Sequence, residues 1–527
     1  MTQFPPEYEA WGWTPVTPDD LQSLKEQLGR EPRSVIAVAA RCRCGKPQVI
    51  VNRPLSPDES GRWTIFPTVF WLTSPYLVRE VSVLEAAGWI GRLRRHLEDP
   101  TIARAMQASH AATARLRLRL VTPEEVEALR EASPGQYRVL AESGVAGMRA
   151  FDGVKCLHAH LADYLGRSQA NPDAVNPIGR AVAQLLLSRG VDLKGDCLPG
   201  SGRVAAIDVG SNSVRLFVGE WQAEEKTQGA RPRLEPVHCD LDMTRLAAGV
   251  ARQAEQDAGP GGRLREEAVE KTFAALARFA EKAAELGAAA PVGGATAAVR
   301  DAADGGEFLV QVWEKTGLSV PLLAAEREAE LAFLGVLRGL EQQGKHSLAV
   351  VDVGGRSTEI VIGDASGEIL WKGSFPLGAV RLTEACVTTD PIAPQEIDAM
   401  RKKARAVLVE AEEAWKALGQ RPEPLWVAAV GGTATTLAAI GLGLETYDPS
   451  AVHQSAWKLD DVTALIRRLS AMPLKERRSV TGLQPERADV IVAGLVILEQ
   501  SLVALQRESF WVSEADLLQG LLWSRLG

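Results

Sequence analysis

Two stretches of the chain carry the same arrangement of groups able to grip a phosphate. Over residues 205–219 an apolar run ends at Asp208, turns through Gly210, Ser211, Asn212 and Ser213, and resumes as apolar residues. Residues 349–363 repeat this with Asp352, Gly354, Gly355, Arg356, Ser357 and Thr358, then Glu359. Sliding one copy onto the other aligns Asp208 with Asp352, Gly210 with Gly354, Ser213 with Ser357 and Gly219 with Gly363 without a gap. Each copy reads as a hairpin whose turn can aim backbone N–H groups at an anion. Two copies predict two similar lobes facing one another.

Two further strand-glycine-helix junctions follow the same logic, Gly293 to Thr296 and Gly431, Gly432, Thr433 to Thr435. The N–H groups at a helix start favour negative charge, so four such junctions could surround a chain of phosphates. Arg300 follows the Gly293 junction at a helix start and suits an anion; pairing with Asp301 or Asp304 is the alternative. Glu326, Glu328 and Glu330 stand on a predicted amphipathic helix, where their spacing alone reads as a charged solvent face.

A different chemistry is suggested nearer the start. Cys42 and Cys44 flank one residue on a turn between strands, and Cys156 opens a stretch containing His158 and His160. Thiolates and an imidazole can make a tetrahedral site for zinc or another soft metal, the candidate ligands being Cys42, Cys44, Cys156 and His160. Buried, unliganded cysteines are the competing reading. The six cysteines are too few and too scattered for a disulfide framework in 527 residues.

The elements that must position these groups fall into three regions, expected at 1–197, 203–322 and 323–527. The first has strands at 34–40 and 48–51, a helical pattern over 81–97, and a capping sequence at Thr122, Pro123 and Glu125. Residues 115–120 alternate basic and apolar side chains, which reads as a half-buried edge with a solvated face rather than a nucleic-acid contact. A Pro-Gly-Ser-Gly joint ends at Gly202. Beyond it lie the first hairpin, a helix over 263–286, a strand passing into a helix over 321–336, the second hairpin, and a strand entering the glycine turn at Gly431.

Hydrophobic content of 46% and charged content of 24% are those of a globular protein, and the formal charge of −8 offers no field to draw the whole molecule to nucleic acid or anionic membrane. No apolar run is long enough to span a bilayer and the first residues lack the pattern of a signal peptide, so a cytoplasmic protein is expected.

From about 203 to 527 the chain resembles the exopolyphosphatase and guanosine pentaphosphatase family. The resemblance rests on Asp208 to Ser213, residues 295–302, Glu328-Ala329-Glu330-Leu331, Asp352 to Glu359, residues 376–382, Gly432 to Thr435, and 487–491. It implies an α/β fold, two ribonuclease H-like lobes of the actin, Hsp70 and sugar-kinase superfamily with the site in the cleft between them, here preceded by a separate α+β domain. It places the catalytic carboxylate at Glu328, against the solvent-face reading, with Glu359 assisting at the water or metal and Asp208 and Asp352 holding Mg²⁺. Ser213, Arg300, Ser357, Thr358 and Thr433 would grip phosphoryl oxygens, with Ser211, Asn212, Gly354, Gly355, Arg356 and Gly432 in the same turns.

One residue departs from the family pattern. Relatives usually carry a third glycine where Arg356 stands. If that position needs a positive φ, Arg is strained there by roughly 1 kcal/mol or more; the reading preferred from sequence is that its guanidinium faces the phosphate chain. The metal-phosphohydrolase module of longer relatives, which carries a His-Asp dipeptide, is not expected.

The implied reaction is Mg²⁺-dependent release of terminal phosphate from inorganic polyphosphate. Its alternatives are a guanosine pentaphosphate 5′-phosphohydrolase and a catalytically impaired phosphate-chain sensor. Expected partners are polyphosphate or guanosine pentaphosphate, with no nucleic acid and no membrane, and a homodimer is the candidate assembly. Over about 15–190 the chain resembles an actinobacterial family of unknown function, on residues including 41–47, 71–75, 154–158 and 176–179. Zn²⁺ is the cofactor considered for that region.

Overall fold

The computed structural model describes residues 5–57, 62–167, 175–222, 232–248, 262–340, 346–364, 366–418 and 425–526. They divide into two compact units, one running to Pro199 and taking in Leu309–Glu314, the other made of Gly200–Phe308 and the chain from Lys315 onward.

In the first unit an antiparallel sheet is ordered β1 (Val35–Arg41), β2 (Pro47–Asn52), β5 (Phe70–Leu72), beside a small hairpin of β3 (Leu55–Pro57) and β4 (Trp63–Ile65). The β1–β2 turn is closed by the Cys42 N–H donating to the Lys46 carbonyl, with Gly45 at φ +86° where a side chain would be strained. The helix expected over 81–97 is two helices, Pro75–Ala86 and Trp89–Arg94, because Gly88 takes φ +79° and ends the first. Thr122 and Glu125 form the expected capping box of Pro123–Ala132. Residues 115–120 end a 20-residue helix, Pro100–Arg119, in which Arg117 is fully buried and donates to the carbonyls of Leu140, Pro67 and Gly144. Arg117 is a core tie rather than a member of a solvated face.

The second unit contains two sheets, each begun by one of the hairpins. The first is ordered β8 (Arg233–Asp242), β7 (Val214–Gln222), β6 (Gly202–Val209), β9 (Val292–Ala295). The second is ordered β12 (Ile369–Phe375), β11 (Thr358–Gly363), β10 (Ser347–Val353), β13 (Leu425–Val430), β15 (Ser509–Val512), β14 (Ala456–Lys458). In both, an antiparallel hairpin adds a parallel strand on the side of its first strand, β9 beside β6 and β13 beside β10. Central β-branched and small apolar residues fill these strands because both faces are covered.

The hairpins share register as well as sequence. Asp208 pairs with Arg215 and Asp352 with Glu359, and in each turn the glycine N–H donates to the serine carbonyl at 3.0 Å, Gly210 to Ser213 and Gly354 to Ser357.

The helix Ala325–Gly339 lies on the second sheet. Its Ala329, Phe333 and Val336 are buried against Leu348, Val350 and Val361, leaving Glu328 at the first turn. Fully burying a side chain the size of Phe333 contributes roughly 1.5–3 kcal/mol, so this apolar stripe fixes where the carboxylate sits. No described helix is long and apolar enough to cross a membrane.

Candidate active site

A cleft of about 100 Å³ lies between the two hairpin turns and the start of the helix Gly431–Leu442. Asp208, Gly210, Ser211, Asn212 and Ser213 line it from the first hairpin, and Asp352, Gly354, Gly355, Ser357 and Glu359 from the second. Glu328, Thr296, Gly431, Gly432, Thr433, Arg215 and Arg487 complete the polar wall.

Backbone geometry explains why glycine stands at the helix entry. Gly431 has φ +78°, and a Cβ there would lie 2.7 Å from the Asp352 Oδ1, displacing that carboxylate. A Cβ on Gly432 would fall within the Arg487 guanidinium. The glycines let a helix N-terminus, with its unsatisfied N–H groups, face the cleft at close range.

Four carboxylates, those of Asp208, Glu328, Asp352 and Glu359, therefore share one small volume. Burial, then the Glu359 carboxylate, pushes Glu328 well above the usual carboxylate range, against the pull of Arg300. Burial, followed by Glu359 and Asp516, pushes Asp352 up to about 8. Glu359 is raised by burial although the Ser374 hydroxyl donates to its Oε1 at 2.7 Å. Burial also raises Asp208, whose Oδ2 accepts Arg215 Nε at 3.0 Å and Nη2 at 2.7 Å. Arg215 additionally pairs with Asp516, and two carboxylates hold its guanidinium firmly charged although burial opposes it.

Asp208 Oδ1 is buried with no hydrogen-bond partner. An unsatisfied carboxylate oxygen amid like charges is costly, and a divalent cation with oxygen preference is the group that would relieve it. The residues fit Mg²⁺ by this test.

Several expected residues sit differently from the sequence reading. Arg300 neither lines the cleft nor pairs with Asp301 or Asp304: its Nη1 donates to Glu328 Oε2 at 3.2 Å and to the Leu323 carbonyl at 2.8 Å. It holds the Glu328 carboxylate in place. Thr358 is fully buried and its hydroxyl donates to the Leu377 carbonyl, so it ties β11 to the following loop and does not reach the cleft.

Arg356 does not face the phosphate site either. Its side chain is 4% exposed and its Nε donates to Asp301 Oδ2 at 3.0 Å, a carboxylate that also accepts Arg381 Nη2 at 2.8 Å. Its φ is not positive, so the residue carries no glycine-type strain. The close approach at this turn falls on Gly378 instead, where a Cβ would come within 2.3 Å of the Arg356 backbone nitrogen.

The soft-metal set is also rearranged. Cys42 and Cys44 lie side by side, Sγ to Sγ 3.0 Å. Cys156 is instead beside His158 and Glu85, and His160 is fully buried, its Nδ1 within 3.3 Å of the Asn176 amide. The helix Leu157–Gly166 turns His160 into the core, away from the β1–β2 turn.

Thr296 lines the cleft as the end of its expected junction, whereas Arg215 and Arg487 are lining residues to which the sequence assigns no role. Arg215 had a signal: it aligns with Glu359 once the two hairpins are superposed. Arg487 lay in a recognised motif, but its burial, which lowers it to about 10, and its place against Gly432 arise from packing alone.

Comparison with known proteins accords with this geometry. The family model described as Ppx/GppA phosphatase family matches residues 224–527, and one described as a protein of unknown function, DUF501, matches 38–184. Exopolyphosphatase 2 of Mycobacterium tuberculosis is 35% identical over 334 residues, 62% of this chain and 99% of that protein. Exopolyphosphatase 1 of Mycobacterium leprae is 28% identical over 326 residues, 62% of this chain and 89% of that protein. Among solved structures, an exopolyphosphatase from Cytophaga hutchinsonii has a TM-score of 0.53 at 25% identity, covering 62% of this chain and 97% of that one. The Aquifex aeolicus member of the Ppx/GppA family has a TM-score of 0.50 at 28% identity, covering 61% and 97%. With its actin-like lobes and an N-terminal domain of the DUF501 type, the chain belongs to the Ppx/GppA phosphatase family and is a phosphoanhydride hydrolase.

Proposed function

We propose that the protein is an exopolyphosphatase, releasing the terminal phosphate of inorganic polyphosphate in a Mg²⁺-dependent reaction. The observation that carries this reading is the meeting, in one cleft, of Glu328 with two glycine turns and a helix N-terminus. A polyanion can be held there by backbone N–H groups and hydroxyls without a basic surface, in keeping with the net charge of −8.

Glu328 acts as general base. Burial and the Glu359 carboxylate raise its proton affinity, which favours taking a proton from water, and Arg300 fixes the carboxylate's direction. The water oxygen forms the new bond to the terminal phosphorus, the water proton passes to Glu328, and the bridging P–O bond breaks with its electrons going to the shortened chain. Ser213, Ser357 and Thr433 hold phosphoryl oxygens, and Glu359 restrains the water. Asp208 and Asp352 would hold Mg²⁺, which when bound supplies positive charge against the transferring phosphoryl group. Arg356, turned toward Asp301, gives no ground for impaired turnover and so does not support the sensor reading.

Purified protein with medium-chain polyphosphate and Mg²⁺ should release phosphate, and Glu328→Gln should slow release by roughly 10²–10⁴-fold. Equal rates in the two proteins would refute the assignment. Guanosine pentaphosphate assayed in parallel measures the other activity, and a higher kcat/KM on it would transfer the reading to that substrate.

A further inference from the structure

The fold of the first unit brings together three of the chain's six cysteines, with Cys197 in the place expected of Cys156. Cys42 and Cys44 belong to the β1–β2 turn; Cys197 arrives from the far end of the unit, and the three sulfurs lie within 4.8 Å of one another. None is packed in the hydrophobic core: all three are partly exposed. Thiols that merely fill space would be buried.

The arrangement is held by groups other than the cysteines. Arg43, between Cys42 and Cys44, is buried and forms an ion pair with the equally buried Asp192 at 2.7 Å. Its Nη1 donates to the Gly195 carbonyl at 2.9 Å, 152 positions away, and its backbone N–H to the Lys194 carbonyl at 3.1 Å. Gly195 has φ +88°, and a Cβ there would lie 3.4 Å from the Cys42 Cβ and 3.7 Å from the Cys197 sulfur. The turn that delivers Cys197 is thus clamped to the turn that carries the other two. A buried ion pair that loses one partner is strongly destabilising, so the clamp depends on both Arg43 and Asp192.

We propose that Cys42, Cys44 and Cys197 form a binding site for a thiophilic cation of the zinc class, three thiolates leaving the fourth position to water or an added ligand. Zn–S bonds of about 2.3 Å in tetrahedral geometry set sulfurs about 3.8 Å apart, within reach of this cluster with small rotations of the side chains. Thiols release protons on binding, so the cation carries the charge that three neighbouring thiolates could not share unaided.

The test uses the full chain purified under reducing conditions and loaded with Zn²⁺ alone. One tightly held zinc per chain is expected. Zinc should protect three thiols from alkylation, and Co²⁺ in its place should give a thiolate-to-metal charge-transfer band. Cys197→Ser should weaken zinc binding by more than the roughly 10–100-fold that loss of an outer partner costs, while Cys156→Ser should leave it unchanged. Thiol protection is read on the wild-type chain and so does not depend on any variant folding. Equal alkylation with and without zinc, retention of zinc by Cys197→Ser, or a disulfide among the three in the reduced preparation would overturn the proposal.

Discussion

The two hairpins have one backbone pattern and opposite charge. Opposite Asp208 stands Arg215; opposite Asp352, at the same register position, stands Glu359. Within the first hairpin Arg215 neutralises Asp208, and it also pairs with Asp516 from beyond the hairpin. The second collects carboxylates with no cation of its own, and Asp352 is pushed up to about 8 as a result of burial and of Glu359. A repeated fold element need not repeat its electrostatics. One jaw carries its cation with it, and the other keeps its carboxyls protonated by burial until positive charge from outside lets them ionise.

The largest effect should come from undoing that neutrality. Arg215→Met leaves buried carboxylates unpaired and should cost roughly 3–5 kcal/mol in urea denaturation; a loss under about 1 kcal/mol would mean the two hairpins are electrostatically alike.

The next lies in pH. An aspartate whose folded pKa is raised is held neutral by the fold. Stability is therefore fully present below the unfolded value near 4, and is lost as pH rises toward about 8. The unfolding free energy from urea denaturation in metal-free buffer should fall between pH 5 and pH 8, by on the order of 2–4 kcal/mol. Asp352→Asn should flatten the slope and added Mg²⁺ should restore stability chiefly at the upper end. A slope retained in Asp352→Asn would assign the effect to another carboxyl.

Glu359→Gln should act in the opposite sense to Arg215→Met, raising metal-free stability by about 1–2 kcal/mol through relief of like-charge repulsion while lowering phosphate release. Loss of stability in both variants would break the comparison.

The smallest effect is expected at the turn position where Asn212 and Arg356 align. Arg356→Asn removes one of the two guanidinium partners of Asp301, which keeps Arg381, and should cost about 0.5–1 kcal/mol with turnover unchanged. A marked fall in kcat would place Arg356 among the substrate contacts.

Much of the site was legible along the chain because it lies at strand ends and glycine turns, where residue types are dictated locally. Asp208, Asp352, the serines and Gly431 to Thr433 are of this kind, and the resemblance to a phosphatase family located Glu328 where the helical pattern by itself indicated solvent. Illegible were the directions of long side chains. Arg300 turned to Glu328, Arg356 to Asp301 and Thr358 to the Leu377 carbonyl, each by a contact distant in sequence. The cysteines show the same division: Cys42 and Cys44 were visible as a pair, but Cys156 and His160 belong to a helix that faces them elsewhere, and Cys197 is supplied by the Arg43 clamp.

The amino-acid order by itself determined the paired hairpins, their gapless alignment and the α/β class, because strand, turn and helix start each follow from residues within a few positions. Which charge faces which depends on packing across the folded chain. Register sets Arg215 against Asp208 and Glu359 against Asp352, and close packing of two sheets and a helix gathers four carboxylates into one cleft. Proton affinity and cation demand depend on burial and on neighbours brought from far along the chain, and those exist only once the chain has folded.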